Sequence, residues 1–230
     1  MIEEKQIDKQ VLKISILGDS ISTYEGYNPY GYAVYYKDDA AYENGLMSVN
    51  DTWWWQVIDA LDGELCVNNS FSGSFVSNNY AMSACREGRC SFLGYGDKPN
   101  DILIYMGTND RGYRVAVGGD EPENSEYFFA CYKVMLRKIH RNYSSAKIVC
   151  ATLPIGYRRD YENVPMSTEF LEVAEQYNDA IRKAVKEEGC LLADIALLGE
   201  RYETLDGVHP TCQGHKTLAR LWVECLNKII

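Results

Sequence analysis

The sequence predicts an α/β fold: a parallel sheet covered by helices on both faces. Three observations carry this expectation. Short apolar runs recur along the chain, helical patterns lie between them, and small polar turn clusters follow most of the runs. The runs are continuous rather than alternating, as expected of strands buried on both faces.

The elements follow in order. Leu12 to Leu17 is a strand, closed by Gly18. Trp54, Val57, Ile58 and Leu61 recur at helical spacing, with Asp51 or Thr52 as N-cap. Glu64 to Val67 is a second strand with the weakest pattern, and Ile102 to Tyr105 a third. Phe128, Cys131, Tyr132, Met135, Leu136 and Ile139 mark a helix ahead of the strand Lys147 to Ala151. Phe170, Val173, Ala174, Tyr177, Ala180, Ile181, Ala184 and Val185 mark another, capped by Ser167 or Thr168 and stopped by Gly189. Leu191 to Ala193 is the fifth strand, and a last helix runs from about Cys212 to Asn227. With no internal repeat or linker, residues 1–230 read as a single domain. Three connections are long: Ser22 to Asn50, Gly107 to Glu123 and Pro154 to Pro165. Loops of that length in a compact domain are usually functional or disordered, and all three are expected at the same sheet edge.

Apolar residues make up 46% and charged residues 24% of the chain, the balance of a globular protein. The net charge of −10 disfavours nucleic acid and anionic membranes as partners. Met1 to Gln10 lacks the basic start and apolar stretch of a secretory signal, so a cytoplasmic protein is expected. The eight cysteines form no CxxC pair, and the three histidines have no metal-ligand spacing. Reduced thiols acting as small hydrophobes are expected, with no metal and no cofactor.

The chemistry lies at the strand ends. The first strand ends in Gly18-Asp19-Ser20-Ile21-Ser22 and the third in Gly107-Thr108-Asn109-Asp110. The second is followed by Asn68-Asn69-Ser70-Phe71-Ser72-Gly73-Ser74, and Asp206-Gly207-Val208-His209-Pro210 comes after the fifth. A parallel sheet gathers all four clusters at its carboxyl edge, where ligands bind in open α/β sheets. Ser20 is the candidate nucleophile and His209 the candidate base. Asp206, three residues before His209, is placed to accept the ring N–H and fix its tautomer. The backbone N–H groups of Ser20 and Gly73 and the side-chain amide of Asn109 are candidate oxyanion donors. A GxSxG elbow is absent, since Ser22 stands two residues after Ser20.

These blocks, in this order, resemble the GDSL/SGNH hydrolase family. Gly18-Asp19-Ser20-Ile21 matches its first block, Gly73 the glycine of its second, Gly107 and Asn109 its third, and Asp206 and His209 its last. The resemblance implies a three-layer α/β/α sandwich with a flavodoxin-like five-stranded parallel sheet, order 2-1-3-4-5. It also implies a metal-free serine mechanism of the kind used by esterases, lipases, thioesterases and carbohydrate deacetylases.

Other residues carry plainer expectations. Asp19 is expected to support the turn, Asp110 and Asp194 to hydrogen-bond structurally, and His140 and His215 to sit on or beside helices without a catalytic part. Arg86, Arg89 and Arg111 are expected as solvated surface cations unless they meet an acidic substrate. Residues 22–50 form a tyrosine-rich insertion holding seven of the 18 tyrosines: Tyr24, Tyr27, Tyr30, Tyr32, Tyr35, Tyr36 and Tyr42. They either pack the insertion onto the domain or build a stacking wall for a sugar or acyl group. Of Trp53, Trp54 and Trp55, one or two belong in the core and one reaches toward the insertion or pocket. The expected function is hydrolysis of a small-molecule ester with a short acyl group, foremost an acylated carbohydrate. A lysophospholipase or acyl-CoA thioesterase is the alternative, followed by an inactive binding module.

Overall fold

The computed structural model describes residues 11–37, 45–78, 80, 82–94, 98–119 and 126–229. Five strands form one parallel sheet: β1 (Leu12–Gly18), β2 (Gly63–Asn68), β3 (Asp101–Tyr105), β4 (Lys147–Ala151) and, last in the chain, β6 (Leu191–Ala193). Their spatial order is β2-β1-β3-β4-β6. This is the expected 2-1-3-4-5 order, with β6 as the predicted fifth strand. Every residue of central β3 is buried, whereas edge strand β2 is buried only at Val67 and Asn68. That exposure explains why β2 has the weakest apolar signal.

Two three-residue strands escape the sequence pattern: β5 (Gly156–Arg158) and β7 (Tyr202–Thr204), paired parallel as a separate ribbon. Three residues are too few to show a period. The ribbon lies just ahead of Leu205 and Asp206, and an isolated bridge from Thr204 to Pro210 closes the loop between them.

Six helices are described: α1 (Trp53–Ala60), α2 (Glu87–Cys90), α3 (Thr108–Gly112), α4 (Phe128–Asn142), α5 (Thr168–Glu187) and α6 (Cys212–Ile229). The caps follow from side-chain chemistry. Thr52 accepts from the Trp55 N–H, and Ser167 accepts from the Phe170 N–H. Helices α1 and α6 pack together, as do α4 and α5, so helices flank the sheet.

Trp53 and Trp54 are fully buried, and Trp53 stacks on Trp222 of α6 at 5.1 Å between ring centroids. Burying each such ring contributes about 2–3 kcal/mol. Trp55 is half-buried and meets Tyr27 of the insertion edge-on at 5.8 Å. All eight cysteines are free thiols. No helix among the described residues is long and apolar enough to cross a membrane.

The register aligns the functional edge. Gly18 pairs with Tyr105 across β1 and β3, so the turns that begin at Asp19 and Gly107 leave the sheet side by side.

Candidate active site

Ser20 opens a short 3-10 turn, Ser20–Ser22, capped by Asp19 through the Ile21 N–H at 3.0 Å. Gly18 makes the turn possible, because a Cβ there would collide with the side chains of Ser22 and Ser70. As the first residue of the turn, Ser20 has no intrahelical acceptor for its N–H. Asp19 supports the turn as expected, but from the interior. It is fully buried, and its Oδ2 has no partner among the described residues. Burial pushes its carboxyl up to about 6, against the Ile21 N–H that favours the charged form.

The Gly73 loop follows β2. Gly73 has φ +80°, a left-handed conformation, and a Cβ there would meet open space. The glycine is therefore required by backbone conformation rather than by crowding. Asn109 donates through Nδ2 to Ser74 O at 2.8 Å, which ties α3 to this loop and uses one of its two amide hydrogens. Asp110 is fully buried and accepts from the N–H groups of Val76 (2.8 Å) and Ser77 (3.0 Å). Burial raises its carboxyl above the ordinary range, although those bonds favour the ionised form.

Arg89 corrects the expectation of a solvated cation. Its side chain lies in the interior, 2% exposed. Its guanidinium donates to Asn69 Oδ1 (3.0 Å), Asn69 O (2.8 Å), Ser74 Oγ (2.9 Å), Met82 O (2.5 Å) and Gly18 O (3.2 Å). Five donors in a fixed fork match five acceptors, which is how a buried guanidinium is tolerated. Burial pulls it down to about 10, still charged at neutral pH. Arg111 donates to Leu153 O at 3.0 Å, and exposed Arg86 to Asn78 O at 3.3 Å.

His209 approaches from the far side of the site. Its Nε2 lies 2.9 Å from Ser20 Oγ, and its Nδ1 lies 2.6 Å from Asp206 Oδ2. A carboxylate only accepts, so the ring proton sits on Nδ1, leaving the Nε2 lone pair toward the Ser20 hydroxyl. Asp206 also accepts from the N–H groups of Val208 (2.9 Å) and His209 (2.8 Å) through Oδ1. Partial burial opposes its ionisation, but these bonds and the one to the His209 ring hold its carboxyl well below the usual range.

The insertion divides by position. Tyr24 and Tyr36 are buried in the core, Tyr27 packs on Trp54 and Trp55, Tyr32 meets Phe71 edge-on, and Tyr30 is fully exposed. Tyr35 stacks on the His209 ring. Tyr42 lies outside the described residues.

The remaining candidates take structural places. Asp194 holds Arg182 and accepts from Thr152 Oγ1. His140 contacts Glu188 O and Cys190 Sγ. His215 is fully buried, accepts the Trp53 N–H at Nδ1, and is pushed down to about 3 by burial and by the nearby His209. Among the described residues, no group of three or more His, Cys, Asp or Glu is placed to hold a metal ion.

The family model described as GDSL-like lipase/acylhydrolase matches residues 12–164, more than half the chain. Fold and family together make the protein a carboxylic ester hydrolase. It belongs to the GDSL-like lipase/acylhydrolase family. The matched span contains Ser20, Gly73 and Asn109 but ends before Asp206 and His209.

Among solved structures, a protein from Bacteroides ovatus described as a GDSL-like lipase superposes with TM-score 0.74 at 24% identity, covering 96% of this chain and 100% of that one. A similarly described protein from Bacteroides uniformis gives 0.73 at 25% identity, covering 96% and 98%. An acetyl xylan esterase from Geobacillus stearothermophilus gives 0.60 at 18% identity, covering 95% and 96%. No curated protein matches the sequence.

Proposed function

We propose that this ester hydrolase removes a small acyl group from a carbohydrate through an acyl-enzyme on Ser20. The observation that carries the mechanism is the continuous hydrogen-bonded line from Asp206 through His209 to Ser20, 2.6 Å and 2.9 Å. Ser20 Oγ attacks the ester carbonyl while His209 Nε2 takes its proton. The oxyanion receives the N–H groups of Ser20 and Gly73 and the free amide hydrogen of Asn109. The carbonyl–alkoxy bond then breaks, and the alcohol leaves with the proton held by His209. Water repeats the sequence on the acyl-enzyme, releasing the acid and restoring Ser20.

Two observations support a polar alcohol. A cleft of about 630 Å³ borders Thr204 and Leu205, beside the base loop though not lined by Ser20 or His209 themselves, and is lined by Arg158, Arg159, Asp160, Glu203, Gln213 and Lys216. Such a lining suits hydroxyl groups better than a lipid chain. The structurally similar acetyl xylan esterase shows that this fold serves deacetylation elsewhere.

Hydrolysis of p-nitrophenyl acetate by Ser20→Ala tests the mechanism: activity should vanish, and wild-type turnover would overturn it. A series of acyl lengths tests the substrate class. Turnover should peak at acetate, and a peak at eight carbons or longer would replace the carbohydrate reading with a lipid one.

A further inference from the structure

The insertion after the nucleophile reaches back both to the Ser20 turn and to the His209 loop. Tyr35 lies face to face with the His209 imidazole, with ring centroids 3.6 Å apart and planes 6° from parallel. The Tyr35 N–H donates to Thr23 Oγ1 at 2.9 Å, and that hydroxyl donates to Ser20 O at 2.9 Å. The next residue, Tyr36, is buried and donates its hydroxyl to Pro210 O at 2.9 Å, across 174 residues of sequence. Its ring also meets His215 at 4.9 Å. One dipeptide therefore contacts the Ser20 turn, the face of the base and the residue after the base.

We propose that Tyr35 is a positioning residue for His209, fixing the plane of the imidazole and stabilising the imidazolium formed when Ser20 is deprotonated. The proposal rests on the Ser20–His209–Asp206 reading above. Asp206 and Ser20 bond the two ring nitrogens and so restrain the imidazole within its own plane. Neither opposes a tilt out of that plane, and a ring in face contact does. An aromatic face also attracts a cation, so the contact strengthens as the base takes its proton. Half of the Asp206 side chain is solvent-exposed, which weakens the carboxylate's field at the ring and gives the face contact more to do. The Tyr35 face that covers His209 is already occupied, so it is unavailable as a stacking wall for substrate.

The groups that face or reach His209 are Asp206 on its own loop, Ser20 and Asp19 on the nucleophile turn, Tyr35 on the insertion, and His215 on α6, with Tyr36 bonded to the neighbouring Pro210. Replacing Tyr35 leaves the charges of all the others in place, so a change in pH dependence reports on the ring itself.

The test compares Tyr35→Leu with Tyr35→Phe on p-nitrophenyl acetate, each variant first checked for a cooperative thermal transition. Leucine keeps apolar bulk but removes the π-face; Tyr35→Met serves the same purpose if the leucine variant does not fold. With leucine, kcat should fall about 5- to 30-fold with KM within twofold. The acid limb of kcat/KM should move to lower pH by about half a unit or more, because the neutral base is favoured once the cation-attracting face is gone. Phenylalanine should recover kcat to within about threefold and restore the limb. Wild-type kcat and an unmoved limb with leucine would overturn the proposal. So would a phenylalanine variant as impaired as leucine, which would assign the effect to the hydroxyl. Ser20→Ala run beside them separates the two levels: full activity there sinks the relay itself, whereas an inert Ser20→Ala with an unaffected Tyr35→Leu sinks only this inference.

Discussion

Around Ser20 and Gly73 the polar groups are buried and bonded to one another, whereas the Asp206–His209 loop lies half in solvent. On the first side Arg89 joins Gly18, Asn69, Ser74 and Met82, Asp110 pins Val76 and Ser77, and Asn109 joins Ser74. Moving that loop would strand several buried groups at once, each costing about 1–3 kcal/mol. The other side rests on bonds within one short loop, the Thr204–Pro210 bridge and the contacts of Tyr35 and Tyr36. The difference teaches a division of labour. Oxyanion donors must be fixed before charge develops, and the residues proposed for that role sit in the rigid half. A base must move a proton to and from substrate, and His209, proposed for that role, sits in the half with fewer tethers.

Removing each side in turn sharpens the comparison. The largest effect is expected from His209→Ala, which should lower kcat on p-nitrophenyl acetate about 10⁴-fold or more with only a small loss of stability. A loss below 100-fold would deny His209 the role of base. Arg89→Met should act oppositely, on stability first. Urea unfolding should show a loss of about 3–5 kcal/mol, as the acceptors around Gly18 and Asn69 lose their donors. A loss under 1 kcal/mol would contradict the account of a rigid half. Asn109→Ala should reduce kcat about 100- to 1,000-fold with little change in KM. A rise in KM at constant kcat would make Asn109 a binding residue instead.

The smallest effect concerns two buried ionisable groups with opposite signs. Asp19 is held up to about 6, from 3.8, so between about pH 4 and 6 the native state keeps a proton that the unfolded chain has lost. Its contribution to stability therefore falls as pH rises through that window. His215 is held down to about 3, from 6.5, so there the unfolded chain carries the extra proton. Its contribution is present above pH 6.5 and lost as pH falls toward 3. The two slopes oppose each other between pH 4 and 6. Asp19→Asn should unmask the histidine slope and stabilise the protein by about 1–3 kcal/mol at pH 7, with no gain at pH 4. Parallel wild-type and variant curves of unfolding free energy against pH would contradict the buried charge at Asp19.

The sheet was legible because each of its five strands is an apolar run bounded by turn residues, and Leu191 to Ala193 needed only three residues to show it. The ribbon left no such trace, because Gly156–Arg158 (Gly-Tyr-Arg) and Tyr202–Thr204 (Tyr-Glu-Thr) are short and not apolar. At the site, the spacing of Asp206 and His209 foretold their contact, since three residues of one loop decide it. In the sequence Arg89 reads as a surface cation because its five acceptors, three backbone carbonyls and two side-chain oxygens, are brought together only by the fold. The tyrosines of the insertion were visible as a cluster, but the face that Tyr35 turns toward His209 depends on contacts more than 170 residues away. Local chemistry is written in local sequence; the tethers that align it are not.

The central claim is that Ser20, deprotonated by His209, forms the covalent intermediate. A fluorophosphonate probe followed by peptide mass spectrometry tests it most directly. Ser20 should be the residue modified, at a rate that falls at least 100-fold in His209→Ala. A probe adduct on another residue, or labelling of Ser20 at an unchanged rate without His209, would contradict it.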